Sequence, residues 1–319
     1  MTSLPNEDDE TRRNAAGLVL PEPTAILDLT MDDGAPIRVV RHGNPAGPRV
    51  VLSHGNGFAS DTYFPFWRFM LGRFDLALFD IRNCGRNPFH AAEPHNYTRF
   101  AQDNVTVHGA IADEWGRKTT IGVFHSMSAI AAHLAVVDGV WHWDALILFD
   151  PPLVPPAGNP LRSSIMTDGA ALRDAALIRQ NRFPDPDDLV DVYRFLHRFR
   201  RLKNGVAELN ARSVLRFDPT CGDWALCCPG PVEAGLYTEV GTLPIWRQPG
   251  LPARPFLIVG ADPDAEDASA TALCCRLFCE TFDVDYACVP DTSHLLQLEE
   301  PRQCFALFLS FLANNGITT

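Results

Sequence analysis

Short apolar runs recur along the chain, and segments with helical spacing separate them. The runs are Pro48–Ser53, Phe74–Asp80, Asp144–Asp150 and Pro255–Gly260, with a last short one at Tyr286–Val289. Strands that are apolar throughout and alternate with helices are typical of a parallel sheet covered on both faces. Two earlier segments, Ala25–Thr30 and Pro36–Arg41, alternate apolar and polar residues around Asp32-Asp33-Gly34. This pattern predicts a hairpin ahead of the parallel strands.

Helical spacing predicts the elements that connect these strands. Segments with that spacing are residues 60–73, Tyr97–Trp115, the stretch after Ser126, Ser269–Phe282 and Pro301–Asn314. The alternation stops at Pro151, where about ninety residues follow with clustered prolines, scattered aromatics and one helix-like stretch, Leu189–Leu202. We interpret the chain as an α/β sheet interrupted by a mostly helical insertion.

Ser126 lies where β-prone residues ending at His125 give way at once to helix formers. A serine on such a sharp strand-to-helix turn exposes its hydroxyl above the sheet, as the nucleophile of the G-x-S-x-G pattern does. The residues two before and two after it should be small, because the strand and helix backbones nearly touch there. Ser128 meets this demand, and Phe124 does not. Ser126 is therefore either a nucleophile or an ordinary helix N-cap.

Composition narrows the classes of partner. The 319 residues carry a formal net charge of −12 with a pI near 5.2, which argues against nucleic acid or an anionic membrane as partner. The start, MTSLPNEDDETRRN, lacks the layout of a secretion signal, and no run of 18 apolar residues occurs. We expect a cytoplasmic protein. The nine cysteines lack C-x-x-C spacing, so we interpret them as small buried hydrophobes and expect no metal site.

Five short motifs follow one another in an order that resembles the α/β-hydrolase superfamily. They are His54-Gly55 after a strand, Asp80-x-Arg82-x-x-Gly85, His125-Ser126-Met127, Gly260-Ala261-Asp262 and Ser293-His294. The resemblance spans roughly residues 25–317 and implies a mostly parallel eight-stranded sheet flanked by helices. It also implies a core domain of residues 1–151 and 249–319, with residues 152–248 as a helical cap over the active site.

A serine hydroxyl needs an adjacent base, and that base needs a carboxylate to hold it. His294 lies in a loop that looks like the family's catalytic histidine loop, so we predict that it serves Ser126. The resemblance places the acid after the strand that ends at Gly260, which favours Asp262. Asp264, two residues on, and Asp150, after the strand that follows the Ser126 helix, stay open as alternatives.

The oxyanion of an acyl-transfer reaction needs two backbone donors. One should be the amide of Met127, directly after the serine at a helix N-terminus. By resemblance the other should be the amide of Asn56. We expect Phe58 to line the pocket, together with Trp224 and Trp246 from the cap. His54, His125, Asp80 and Arg82 are expected to support the loops and not to touch substrate.

The resemblance implies a serine hydrolase that cleaves a carboxylic ester through an acyl-enzyme, with no cofactor. A small or medium-sized apolar or aromatic ester suits the aromatic cap. Arg194, Arg198, Arg200 and Arg201 form either a solvated helix face or, if one points inward, a site for a free carboxylate such as that of a monoalkyl phthalate. The alternatives are a carbon–carbon bond, lactone or amide hydrolase with the same triad, or a non-catalytic binding protein. A homo-oligomer stays open.

Overall fold

The computed structural model describes residues 18–93, 95–250 and 254–318. The acidic N-terminal segment, residues 1–17, lies outside the described residues. Within the described ranges no helix combines the length and the apolar character that a membrane span requires.

One mixed sheet forms the centre of the molecule. Its eight strands are β1 (Ala25–Thr30), β2 (Pro36–Gly43), β3 (Arg49–Ser53), β4 (Asp75–Phe79), β5 (Thr120–His125), β6 (Ala145–Phe149), β10 (Phe256–Gly260) and β11 (Asp285–Cys288), in the spatial order β1-β2-β4-β3-β5-β6-β10-β11. Strand β2 pairs antiparallel with β1 and β4, and the other pairs are parallel. The predicted fold class is confirmed. Because β3 to β6 and β10 are buried along their whole length, they carry apolar side chains on both faces.

Helices cover both faces of this sheet. The helices are α1 (Phe64–Trp67), α2 (Tyr97–Trp115), α3 (Met127–Val137), α4 (Pro160–Ile178), α5 (Pro186–Phe195), α6 (Val206–Val214), α7 (Gly230–Glu239), α8 (Ala270–Phe282), α9 (Leu296–Glu299) and α10 (Pro301–Asn314). One core packs α2, α3 and α8 against one face of the sheet. A second core packs α1, α9 and α10 against the other face.

Residues 60–73 do not form the single crossover helix that we predicted. The chain makes a 3₁₀ turn at Ser60–Tyr63, the short helix α1, and a second 3₁₀ turn at Arg68–Met70. Tyr63, Phe66 and Trp67 are each at most 1% exposed, and residues 62–67 are buried without interruption, so the middle of this segment has no solvent face. An amphipathic spacing rule cannot describe such a segment.

The insertion contains strands as well as helices. Helices α4 to α7 lie within residues 152–248, together with a small antiparallel sheet of β7 (Arg182–Phe183), β9 (Asp223–Leu226) and β8 (Leu215–Asp218). We did not predict this sheet. The helix expected at Leu189–Leu202 is α5, which begins earlier and ends at Phe195, followed by a 3₁₀ turn at His197–Phe199.

Phe124 takes the place of the small residue expected two positions before Ser126. Its ring is fully buried against Phe79 and Trp143. Gly122, two residues earlier on the same face, makes room for it, because a Cβ there would lie 2.8 Å from the Phe124 ring. The small residue thus lies four positions before Ser126 and not two, and Ser126 still makes its turn.

Burial lowers the pKa of six histidines below their ordinary value. They are His42, His54, His108, His125, His133 and His142. His133 shows the cause most simply: burial lowers its pKa to about 4, although its Nε2 hydrogen bonds to the Ile245 carbonyl at 2.9 Å. These groups stay neutral in the folded protein and bind protons when it unfolds.

We predict that the free energy of unfolding falls as the pH is lowered below the pKa of an ordinary histidine. Because the folded pKa is depressed, the unfolded chain binds more protons, and the stability present above about pH 6.5 is lost as the pH falls toward 4. His42, His133 and His142, whose pKa burial lowers to about 4, should each cost about 1 kcal/mol between about pH 7 and pH 5.5. Urea unfolding across that range measures the slope. His133→Gln keeps a donor for Ile245 but removes one titrating group, so an unchanged slope in this variant would contradict the assignment.

Candidate active site

Ser126 occupies a strained turn between β5 and α3. Its backbone has φ 52° and ψ −110°, a conformation that residues with a Cβ rarely adopt. Hydrogen bonds hold the turn: the Ser126 amide donates to the Phe149 carbonyl at 3.0 Å, and the Ser128 hydroxyl bonds both backbone groups of His125. The strain is therefore imposed by the surrounding structure, as is common where a side chain must be presented for chemistry.

A chain of two hydrogen bonds connects Ser126, His294 and Asp150. The Ser126 Oγ lies 2.8 Å from Nε2 of His294, and Nδ1 of His294 lies 2.6 Å from Oδ2 of Asp150. Asp150 is completely buried, and its other oxygen accepts the Ala261 amide at 3.0 Å. Since a carboxylate only accepts, Nδ1 carries the proton and Nε2 is free to accept one from the serine hydroxyl.

The prediction that Asp262 is the partner of His294 is wrong. The Asp262 carboxylate accepts the backbone amides of Asp264 and Asp291, each at 2.9 Å, and these bonds lower its pKa. Asp264, the second candidate, forms an exposed ion pair with Arg276 at 2.6 Å. Asp262 therefore anchors the loop that leads to His294, but it does not touch the imidazole.

Strand register explains why Asp150 holds the histidine. His125 pairs with Phe149 across the parallel strands β5 and β6, so the next residues, Ser126 and Asp150, leave the sheet side by side. Both have positive φ, 52° and 41°. Asp262 comes two residues after β10 ends, and its carboxylate bonds the backbone of the loop that precedes His294. The signal in the sequence was an acid that directly follows an apolar strand, with no residue between.

The predicted oxyanion residues lie on both sides of the serine. Met127 is the first residue of α3, and the first amides of a helix have no acceptor within it. Asn56 lies on the loop after β3, and its side-chain amide donates to the Glu233 carbonyl of α7 at 3.3 Å. Gly55 packs so closely on the turn that a Cβ would lie 2.8 Å from the His125 ring and 3.1 Å from Ser126 Cβ. The role of these two amides stays a prediction.

A second hydrogen-bond chain joins three loops around Ser126. The Gly55 amide donates to the Tyr63 hydroxyl at 3.1 Å, that hydroxyl lies 2.6 Å from Nδ1 of His125, and Nε2 of His125 lies 2.8 Å from the His294 carbonyl. A carbonyl can only accept, so Nε2 carries the proton and Nδ1 accepts from the tyrosine. Sequence reasoning missed Tyr63, because nothing in its local pattern points toward His125.

Burial keeps this second chain uncharged. Burial and the nearby His294 hold the pKa of His125 well below its ordinary value. Burial likewise raises the pKa of Tyr63. Both groups are therefore neutral across the physiological range, and the direction of donation from Gly55 to His294 does not change with pH.

The cap contributes an ion pair and an aromatic contact next to the Asn56 loop. Glu233 is 4% exposed and pairs with Arg179 at 2.5 Å; burial raises the pKa of the acid, and Arg179 opposes that rise. Phe58 is buried and packs edge-to-face with Phe199, with the two ring centroids 6.2 Å apart. Phe58 thus lies between the core and the cap, and its role in the substrate pocket stays a prediction.

Trp246 lies away from where we expected it, while the place of Trp224 in a pocket stays a prediction. Trp246 packs against Phe278 and Phe282 of α8, on the flank of the sheet, so its predicted place in the pocket is wrong. Trp224 lies in the small cap sheet and packs against Phe217, which is itself exposed. In the described part of the chain neither ring has an aromatic contact with a residue of the Ser126 site.

Three of the four cap arginines make surface ion pairs. Arg194 pairs with Asp191 and Glu208, while Arg200 and Arg201 pair with Asp267. Arg198 differs, because its guanidinium lies over the neighbouring Phe199 ring at 4.9 Å and its charge acts on the buried Glu233. Within the described ranges, no carboxylate lies at salt-bridge distance from Arg198.

The supporting residues of the loops are as expected from the sequence. The Asp80 carboxylate accepts the amides of Ser60 and Arg86, and Arg82 pairs with Asp33 and Asp103. Among the described residues, neither group of side chains that could hold a metal ion includes a residue of the Ser126, His294 and Asp150 set.

Comparison with solved structures finds the same fold in several hydrolases. The structure of E-2-(acetamidomethylene)succinate hydrolase superposes with a TM-score of 0.72 at 18% identity, covering 91% of this chain and 100% of that one. A thioesterase domain from the curacin biosynthetic pathway gives 0.67 at 15% identity, covering 90% and 100%. A thermophilic esterase from Thermogutta terrifontis, with malate bound, gives 0.62 at 15% identity, covering 91% and 99%. At these identities the likeness shows the fold.

Sequence comparison identifies the family. No curated protein matches the chain. Residues 50–307, most of its length, match the sequence pattern described as the alpha/beta hydrolase family. The pattern covers Ser126, Asp150 and His294 as well as the insertion between them. The chain therefore belongs to the alpha/beta hydrolase family.

Proposed function

We propose that this protein is a serine hydrolase that cleaves a carboxylic ester through an acyl-enzyme. The observation that carries the proposal is the continuous hydrogen-bond chain from Asp150 through His294 to Ser126. In this arrangement His294 takes the serine proton as the oxygen attacks the ester carbonyl, and Asp150 stabilises the imidazolium that forms.

The developing oxyanion would lie between the two loops that flank the serine. The amides of Met127 and Asn56 are the proposed donors, and the dipole of α3 adds a favourable field at Met127. His294 then gives its proton to the leaving alcohol, and the acyl group stays on Ser126. A water molecule activated by the same histidine releases the acid and restores the serine.

Substitution of the three chain members tests the mechanism. Ser126→Ala and Asp150→Asn should each lower kcat for p-nitrophenyl esters by about three orders of magnitude or more, because one removes the nucleophile and the other favours the wrong imidazole tautomer. Steady-state kinetics on variants with native circular dichroism spectra measure the effect.

Asp262→Asn is the matched control for Asp150→Asn. It removes one carboxylate charge from the neighbouring strand end, where the acid bonds only backbone amides. We expect kcat within about tenfold of the parent, with a lower melting temperature as the main effect. Asp150→Asn with most of its activity retained would overturn the assigned acid.

Tyr63 and His125 are proposed positioning residues that hold the His294 loop and the Gly55 loop to the Ser126 turn. Tyr63→Phe keeps the ring but leaves Nδ1 of His125 and the Gly55 amide without their partner. An unpaired buried group costs about 1–3 kcal/mol, so we expect a less stable protein whose kcat falls about tenfold while KM changes little.

Tyr193→Phe provides the comparison for Tyr63→Phe. Its hydroxyl also accepts a hydrogen bond, from Asn210 at 2.9 Å, but it belongs to the cap. A comparable loss of stability with kcat retained would separate positioning from general destabilisation. Equal losses of kcat in the two variants would argue against a specific role for the Tyr63 chain.

The substrate that we favour is a small or medium-sized apolar or aromatic ester with a free carboxylate, such as a monoalkyl phthalate. Arg198 supports this choice although the residue is exposed, since its charge acts on the buried Glu233 and its guanidinium lies over Phe199, whose ring contacts Phe58 beside the Asn56 loop. A guanidinium stacked on an aromatic ring is a common carboxylate partner. Its aromatic neighbours suit the apolar part of the ester.

Arg198→Gln should raise KM for an acid-bearing monoester by about tenfold or more and leave KM for the matching neutral diester nearly unchanged. Arg194→Gln, an exposed arginine already paired with Asp191 and Glu208, is the control and should change neither value. If Arg198→Gln raised KM equally for both esters, Arg198 would not bind the free carboxylate of the substrate.

The same triad chemistry serves hydrolysis of carbon–carbon bonds, lactones and amides, so the assay panel should include these classes beside the esters. Turnover of a diketone or lactone, with the esters left intact, would move the protein to that class. Binding without turnover of any member would point to a non-catalytic member of the family.

A further inference from the structure

Three side chains from two distant parts of the chain meet at the junction of core and cap. Cys84 lies on the loop after β4, His95 lies ahead of α2, and Cys228 lies in the cap between β9 and α7. They are 3%, 6% and 8% exposed. The two Sγ atoms and an imidazole nitrogen all lie within 4.8 Å of one another.

The spacing of these atoms is close to that between two ligand atoms of one zinc ion. The Cys228 Sγ lies 3.8 Å from Nε2 of His95. Zinc bonds to sulfur and nitrogen at tetrahedral angles separate the two ligand atoms by about 3.6 Å. On the other side of the ring, Nδ1 lies 3.4 Å from the Asn83 amide nitrogen, a long contact to a group that can only donate. This contact favours a proton on Nε2, so a metal ion bound at Nε2 would displace that proton.

Charge also suits a divalent cation at this point. Two thiolates would neutralise a doubly charged ion, so the complex could stay buried without a further partner. The nearby buried acid, Glu233, is already compensated by Arg179. Cys84 and Cys228 also line a cavity of about 10 Å³, together with Gly57, Phe58 and Glu233. That volume is at the lower limit for one water molecule, the ligand that we assign to a fourth coordination position.

The second group of potential ligands serves as a comparison. Asp218, Cys221 and Asp223 lie on the exposed turn between β8 and β9. Arg182 already pairs with both carboxylates. A cation there would have to displace the arginine, whereas at the Cys84 cluster Arg179 is bonded to the Cys228 carbonyl and to Glu233 and not to the three ligand atoms.

We propose that Cys84, His95 and Cys228 form a binding site for a thiophilic divalent metal ion such as Zn²⁺, which joins the cap to the core. The ligands come from both sides of the junction, so the metal would stabilise the closed contact between the two parts. Bound metal should therefore raise the melting temperature of the protein.

Metal titration of the reduced, chelator-treated full chain tests the site. We expect one equivalent of Zn²⁺ by native mass spectrometry, and Co²⁺ should give the intense absorption of thiolate-to-cobalt charge transfer. Cys84→Ser and Cys228→Ser should each weaken Zn²⁺ binding by about 100-fold or more, because loss of a ligand should exceed the 10–100-fold typical of outer contacts. His95→Gln should also weaken it.

Two other cysteines provide matched controls. Cys279→Ser replaces a buried cysteine on α8, and Cys221→Ser removes the exposed cysteine of the comparison group. Both variants should keep one equivalent of metal and the rise in melting temperature. Metal binding that survives Cys84→Ser and Cys228→Ser, or that disappears in Cys221→Ser, would overturn the proposal.

Thiol footprinting of the wild-type protein keeps the test independent of variants that fail to fold. Zn²⁺ should slow alkylation of Cys84 and Cys228 during partial unfolding and leave the rate at Cys279 unchanged. Equal rates with and without Zn²⁺ would exclude the site. A disulfide between Cys84 and Cys228 in air, with no metal bound after reduction, would identify the pair as a dithiol and not as a metal site.

Discussion

The pairing of β5 with β6 is the constraint on which the candidate site depends. Because His125 lies opposite Phe149, the next two residues leave the sheet at one edge, and both adopt positive φ. The strand pairing alone therefore places Ser126 and Asp150 side by side, without any contribution from His294. The histidine loop then needs to place only one ring, which spans the serine and the acid with bonds of 2.8 and 2.6 Å.

The remaining polar contacts serve to hold that ring. The Tyr63 hydroxyl and the neutral His125 tie the His294 carbonyl to the Gly55 loop, and Asp262 anchors the same histidine loop through the Asp291 amide. The site therefore has two carboxylates at neighbouring strand ends with separate tasks. One contacts the imidazole, and the other contacts only the backbone that carries it.

Local patterns predicted the elements whose environment is regular. The bounds of α2 and α10 agree with the spacing of their apolar residues, and the buried strands appear as continuous apolar runs. The predictions failed where burial leaves no solvent face or where pairing is short. Residues 60–70 form two 3₁₀ turns around a short helix, and residues 62–67 are buried without interruption. The cap sheet has strands of two to four residues, which are too short for a period to show.

The sequence by itself determined the fold class and the family, and it pointed to Ser126 and His294, since each of these rests on a motif of neighbouring residues. Only the tertiary structure decided which acid meets His294, that Tyr63 serves His125, that Trp246 packs on α8, and that Cys84, His95 and Cys228 meet. These contacts join segments as many as 144 residues apart. They depend on strand register and on the packing of the cap, and local hydrophobic spacing predicts neither of these.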